Sequence, residues 1–222
     1  MSQQTYEATA STGAASASTL IRNTYLLLSM SLLFSAAAAA FAMALDLHGP
    51  GLLVTMVGYF GLLFAVNALR NSAWGILAVF GLTGFMGFTL GPIINLYLNA
   101  FGNGNQLVMM ALGGSGAIFL GLSAYALTSR RDFSFLGGFL FAGVMVAFLA
   151  GLAAVFLHLP ALSLAVSAMF VLLMSASILY QTSALVHGGE TNYLLATVSL
   201  YVSLYNLFLS LLQLGGFLGG DD

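Results

Sequence analysis

Seven long apolar stretches follow one another along the chain, and short polar or glycine-rich connections separate them. About 20 apolar residues in a helix are enough to span the hydrocarbon core of a bilayer. The pattern therefore predicts an all-α polytopic membrane protein with a bundle of seven transmembrane helices. The predicted limits of these helices are 24–45, 51–69, 74–97, 107–128, 136–157, 162–185 and 193–217.

The last apolar stretch differs from the others because polar side chains recur along one side of it. At intervals of four, three, four and three residues, the sequence places Ser199, Ser203, Asn206, Ser210 and Gln213. With 3.6 residues per turn, these positions share one face of a helix. Lipid offers no partner to amides and hydroxyls, so this face should contact other helices or a wet cavity. We therefore predict that the last helix is central in the bundle.

The sixth stretch carries a polar face of its own, formed by Ser163, Ser167, Ser177 and Gln181. One interpretation is a set of hydrogen bonds between the sixth and seventh helices, each worth roughly 0.6–2 kcal/mol. The other is a polar cavity or an ion path between these helices. Neither face contains a charged residue, which favours the structural interpretation.

Small residues and one proline predict the shape and packing of two further helices. Residues at the spacing of close helix contacts are Gly84, Gly87 and Gly91 in the third stretch, and Gly113, Ala117 and Gly121 in the fourth. Small side chains let two helix backbones approach closely within lipid. The pair Gly91 and Pro92 also predicts a kink, because proline removes one backbone donor and clashes with the preceding turn.

Composition supports this interpretation and excludes several classes of protein. The chain of 222 residues is 60% hydrophobic and only 5% charged, whereas soluble domains contain about 25% charged residues. Four arginines and no lysine leave no basic patch for nucleic acid, and the absence of cysteine excludes disulfides. The seven predicted helices leave too few residues for a sizeable soluble domain.

The four arginines predict the orientation of the bundle. Arg22 precedes the first helix, Arg70 follows the second, and Arg130 and Arg131 follow the fourth, so all four fall on one side of the membrane. The positive-inside rule assigns that side to the cytoplasm, together with the N-terminus. We predict a flexible cytoplasmic tail over 1–21, a membrane domain over 22–218 and a short C-terminal tail over 219–222.

No catalytic constellation is present in the sequence. The motifs of zinc proteases, serine hydrolases and P-loop enzymes are absent, and the histidines His48, His158 and His187 all lie in predicted connections. His48 and His158 share one side of the membrane, but two histidines without a third ligand make a weak metal site. We therefore expect no enzyme, no metal and no cofactor.

Several strings in the chain resemble a known family. They are ILYQT at 178–182, LYVSLYNLF at 200–208, SRRDFSFLGG at 129–138 and HGGETNY at 187–193. They resemble the Bax-inhibitor superfamily and, within it, the bacterial YccA-type modulators of the FtsH protease. The resemblance extends from Arg22 to about Leu212, which is nearly the whole chain.

The resemblance implies a seven-helix bundle with the last helix central, in the bacterial inner membrane. It also implies that the chain binds FtsH, a membrane-anchored AAA+ zinc protease, as an inhibitor and slow substrate, with the N-terminal tail as the place where the protease grips. Calcium-leak members of the superfamily carry one acidic residue on each of the last two helices. The matching positions here are Gln181 and Ser203, so an acid-sensitive latch is not expected.

Two functions from different classes therefore stay open. The first is a protease modulator that acts by direct binding and has no chemistry of its own. The alternative is a cation or proton leak channel through the seam of helices 6 and 7. The sequence leaves the oligomeric state and the surface that contacts the protease undetermined.

Overall fold

The computed structural model describes residues 2–129 and 131–219, with side chains from residue 17 onward. Every regular element in that part of the chain is a helix. The helices are α1 Ser2–Ala44, α2 Leu52–Leu69, α3 Trp74–Ala100, α4 Gly104–Ser129, α5 Leu136–Phe156, α6 Pro160–His187 and α7 Tyr193–Leu218. All seven of these described helices are long and apolar enough to cross a membrane, α1 through its segment Ala17–Ala44. The predicted seven-helix membrane architecture is confirmed.

Helices α2 to α7 begin and end within three residues of their predicted limits, whereas α1 begins much earlier than predicted. Helix α6 begins earlier than predicted because Pro160 occupies its first turn, where a missing N–H costs nothing. It ends later because Gly188 adopts the left-handed conformation that stops a helix. Helix α1 extends back to Ser2, so the backbone of 2–21 is helical, consistent with its alanine content and lack of proline. Whether 1–21 forms a separate tail stays a prediction, and residues 220–222 of the predicted C-terminal tail lie outside the described residues.

Helix α7 is the most buried of the seven described helices. Twelve of the 26 residues of α7 are buried, against one of 18 in α2 and three of 21 in α5. It packs against α1, α2, α3, α4 and α6, whereas α5 packs against α6 and no other described helix. As a consequence, no Cα atom of α2 lies within 8 Å of a Cα atom of α5.

The glycines of α3 allow a close approach to α1. A Cβ atom added at Gly91 would lie 2.7 Å from the carbonyl oxygen of Ala39, and one added at Gly87 would overlap the carbonyl of Ser35. These contacts confirm the predicted role of small residues in the third helix. Helix α3 continues through Pro92 without interruption, and the kink at Gly91 and Pro92 stays a prediction.

The small residues of α4 do not pack inside the bundle. Gly113, Ala117 and Gly121 are exposed, and nothing lies within 4 Å of a Cβ added at either glycine. Helix α4 instead buries the opposite side, which includes Ser115 and Phe119. The prediction that this row mediates packing within the bundle is therefore wrong.

Candidate functional site

Helices α6 and α7 contact each other through Gln181 and Ser203. The Gln181 amide nitrogen donates to the Ser203 hydroxyl over 3.0 Å, and that hydroxyl lies 3.3 Å from the amide oxygen. Ser203 is only 3% exposed. Gln181 and Ser203 therefore face each other as a neutral, hydrogen-bonded pair.

A second polar contact joins the same helices nearer the C-terminal end of α7. The Gln213 amide nitrogen donates to the Ser163 hydroxyl over 2.6 Å. The Ser167 hydroxyl donates to the Gln213 amide oxygen over 2.7 Å. Together with the first contact, this arrangement pairs polar residues that the sequence analysis assigned to the facing sides of α6 and α7.

The predicted polar row of α7 divides into two groups. Ser203 and Ser210 are buried, whereas Ser199 is exposed and Asn206 is half-buried. The Asn206 side chain donates to the carbonyl of Val202 in its own helix over 2.8 Å. Ser199 and Asn206 thus contribute no hydrogen bond between helices, and both line a cavity.

This cavity has a volume of about 1000 Å³ and lies between α2, α3, α5, α6 and α7. Most of its lining is apolar, with a polar strip that includes Tyr59, Thr89, Ser177, Gln181, Ser199, Ser203 and Asn206. No Asp, Glu, Lys, Arg or His side chain is among the described residues that line it. The cavity therefore presents amides and hydroxyls but no charge.

Two tyrosines that were not predicted from the sequence connect α7 to α1 and α3. The Tyr201 hydroxyl lies 2.6 Å from the Ser35 hydroxyl and donates to the carbonyl of Thr83 over 3.2 Å. The Tyr205 hydroxyl lies 3.3 Å from that of Thr89. Their spacing of four residues within an apolar helix was the signal that could have revealed them.

The connections at the N-terminal end of α7 are joined by hydrogen bonds. Asn192 caps α7 by accepting from the amides of Leu194 and Leu195. Its side-chain nitrogen donates to the carbonyl of Arg70 over 2.8 Å and to the Asn71 side chain over 3.3 Å. The connection between α2 and α3 is therefore attached to the start of α7.

The connection between α4 and α5 is attached to α6 in a similar way. The Ser183 hydroxyl accepts from the amide of Phe133 over 3.0 Å and donates to the carbonyl of Arg131 over 3.2 Å. The amide of Ser134 donates to Asp132 over 2.8 Å. This backbone hydrogen bond lowers the pKa of Asp132, and the Ser134 hydroxyl and the nearby His187 act in the same direction.

The arginines in the described residues lie at the same end of the bundle. Arg70 and Arg131 belong to the connections just described, and the hydroxyl of Thr197, near the start of α7, donates to the carbonyl of Thr24, two residues after Arg22. Arg130 lies outside the described residues. We call this end, formed by the start of the α1 span and by residues 70–73, 131–135 and 188–192 of the connections, the arginine end.

The structure offers no candidate metal centre in its described part. No group of three or more His, Cys, Asp and Glu side chains lies close enough there to hold a metal ion. The hydrogen-bonded seam of α6 and α7 and the adjoining cavity are therefore the features from which a function can be argued.

Comparison with known proteins gives the family of the chain. Residues 17–221 match the family described as Inhibitor of apoptosis-promoting Bax1. The chain is 52% identical to the Modulator of FtsH protease YccA of Escherichia coli K12 over 202 residues, 91% of each chain. An uncharacterized protein of Pseudomonas aeruginosa is also 52% identical, over 91% of each chain. The Golgi anti-apoptotic protein of Vaccinia virus is 35% identical over 73% of this chain and 67% of its own. The chain is therefore a multi-pass membrane protein of the Bax-inhibitor family.

Proposed function

We propose that this chain modulates FtsH, a membrane-anchored AAA+ protease of the bacterial inner membrane, by binding it directly. The observation that carries this proposal is the 52% identity over 91% of both chains to a protein whose name states that activity. The fold is compatible with it, because a bundle of seven apolar helices can meet another membrane protein within the bilayer. The chain would act as an inhibitor and as a slow substrate.

The proposal includes an orientation. Arg22, Arg70, Arg130 and Arg131 face the cytoplasm under the positive-inside rule, and so does the N-terminus. The grouping of Arg22, Arg70 and Arg131 near the start of α7 supports this orientation. In that orientation, the arginine end and the N-terminal segment would be on the cytoplasmic side, where ATP is available to the protease.

Affinity purification tests the proposal directly. The full-length chain carrying a C-terminal tag is purified from inner membranes in mild detergent, and co-purifying proteins are identified by mass spectrometry. FtsH should be retained, and addition of the purified chain should slow degradation of a membrane substrate by purified FtsH. A multi-pass protein of another family, expressed to the same level, is the control. If FtsH is not enriched over that control and degradation is unchanged, the proposal is wrong.

A second candidate function is a cation or proton leak through the seam of α6 and α7. The cavity of about 1000 Å³ beside that seam is the observation in its favour. Against it, Gln181 and Ser203 pair with each other, and neither side chain exchanges a proton near neutral pH. Ion flux through vesicles that contain the purified chain would distinguish a channel from a modulator.

A further inference from the structure

The cavity beside α7 is open toward the bilayer on one side. Helices α2 and α5 both line it, yet no Cα atom of one lies within 8 Å of a Cα atom of the other. Lining residues at this gap are largely exposed: Phe60 on α2 and Met145 and Leu149 on α5. Because both helices face lipid, a molecule dissolved in the bilayer can enter between them.

The polar strip of the cavity contains hydroxyl groups that the protein leaves unpaired. Among the described residues, the hydroxyls of Tyr59, Ser177 and Ser199 have no hydrogen-bond partner. A polar group without a partner is unfavourable within a membrane, where water is scarce. The rest of the lining is mainly apolar. An occupant that satisfies both parts of the lining must combine hydrocarbon with a hydrogen-bonding group.

The absence of charge in the lining restricts the occupant further. An anionic or cationic head group would lie without a counter-charge in a site of low polarity, at a large cost. An uncharged head group would not incur this cost and can accept from, or donate to, hydroxyls and amides. The lining therefore favours a neutral lipid over a phospholipid with a net charge.

The size of the cavity favours a lipid over a helix of another protein. A volume of about 1000 Å³ is at the upper end of the roughly 300–1,000 Å³ typical of small-molecule sites. A helix about 10 Å across would fill that volume with roughly eight residues, far fewer than the about 20 of a membrane span. A partner helix would therefore have to lie mostly outside the cavity.

We propose that this cavity binds a neutral lipid, which enters from the bilayer between α2 and α5. Its hydrocarbon chain lies against the apolar walls, and its head group forms a hydrogen bond with one or more of the hydroxyls of Tyr59, Ser177 and Ser199. Isoprenoid quinones and diacylglycerols share this chemistry. The site is independent of protease binding, so it would exist whether or not the chain acts on FtsH.

Photolabelling of the full-length chain in phospholipid vesicles tests the proposal. Three photoactivatable probes are compared at equal density: an isoprenoid quinone, a diacylglycerol and phosphatidylglycerol. At least one neutral probe should label peptides from the helices that line the cavity, and an excess of the same unlabelled lipid should compete. The neutral probe that labels the chain identifies the head group. Equal labelling by phosphatidylglycerol, or labels spread evenly over all lipid-facing helices, would overturn the proposal.

Two pairs of matched variants sharpen this test. Ser199→Trp fills the cavity, whereas Ser29→Trp places the same side chain at an exposed position of α1 outside it. Labelling by the neutral probe should be nearly abolished by the first change and unaffected by the second. If Ser199→Trp leaves labelling unchanged, the cavity is not the site.

The second pair removes hydroxyl groups without adding volume and decides the question if Ser199→Trp does not fold. Tyr59→Phe with Ser199→Ala should weaken competition by the unlabelled neutral lipid about fivefold or more, since a hydrogen bond contributes on the order of 1 kcal/mol. The control is Tyr125→Phe with Ser29→Ala, at exposed positions of α4 and α1 outside the cavity. Equal competition curves for the two double variants would refute recognition of the head group.

Discussion

At the scale of single residues, Gln181 and Ser203 determine how the seam responds to pH. A latch that opens on protonation needs two neighbouring carboxylates, one of which has its pKa raised by the other. An amide and a hydroxyl hold each other by hydrogen bonds that do not titrate near neutral pH. Their contact, at 3.0 Å, should therefore be the same on both sides of neutrality.

We predict that vesicles containing the purified chain show no calcium flux that switches on between about pH 6 and 8. The control is Gln181→Asp with Ser203→Asp, which restores two facing carboxylates at the same positions. Flux is followed with a calcium dye trapped inside the vesicles. A switch in the unmodified chain over about one pH unit, lost in Gln181→Ala, would contradict this prediction.

At the same scale, the spacing of the polar residues in the last helix predicted that they share a face, but it did not predict which groups each side chain contacts. These residues are Ser199, Ser203, Asn206, Ser210 and Gln213. A helix enclosed on several sides has different neighbours at each turn. Ser203 and Gln213 bond to α6, whereas Asn206 bonds to its own backbone. Sequence spacing gives the angle around one helix axis, and the partners depend on how all the helices are placed.

At the scale of helices, sequence spacing also did not show which row of small residues takes part in helix packing. The rows in α3 and α4 look alike in the sequence, but Gly87 approaches the backbone of Ser35, whereas Gly113 has open space around it. A row of small residues permits close approach, yet it does not identify the helix that approaches. The number and limits of the helices were predictable because bilayer thickness fixes how long an apolar run must be.

This difference gives a matched pair of substitutions. Gly87→Ala introduces a methyl group against the carbonyl of Ser35 and should destabilise the bundle by about 1–3 kcal/mol, the usual cost of overpacking. Gly113→Ala adds the same methyl group at an exposed site and should leave stability unchanged or slightly higher, because alanine favours helix. Thermal unfolding of both variants in the same detergent measures the difference. Equal melting temperatures would show that α1 and α3 do not pack as described.

At the scale of the whole molecule, the orientation in the membrane can be tested at single sites. The chain has no cysteine, so a cysteine introduced at one position is the only thiol. In intact cells, a reagent that does not cross the inner membrane should fail to label Ser72→Cys and Ser129→Cys. It should label Asn105→Cys, which lies exposed at the start of α4, at the opposite end of the bundle. Labelling of either serine site from outside would show that the orientation is the opposite of the one proposed.

The same orientation would make the N-terminal segment the part of the chain that FtsH can grip. Residues 2–21 precede the first predicted membrane helix, whereas the other connections at the arginine end contain only a few residues. The terminal turns of a helix fray, so a segment at the free end of α1 can be opened with little work. Extracting the bundle instead requires the separation of seven packed helices. Deletion of 2–18 should therefore lengthen the life of the protein and make it a stronger inhibitor, because it would occupy the protease without being degraded.

Pulse-chase decay in cells with active or inactive FtsH measures this effect. The control keeps the length and composition of 2–18 but scrambles its order, and it should decay like the unmodified chain if only a loose end is needed. Slower decay of the scrambled chain would mean that the protease reads the sequence of the segment. Equal half-lives for the deleted and full-length chains, with and without protease activity, would show that the segment is not the handle. Degradation would then have to begin elsewhere, and the proposal that the chain is a substrate of FtsH would lose its mechanical basis.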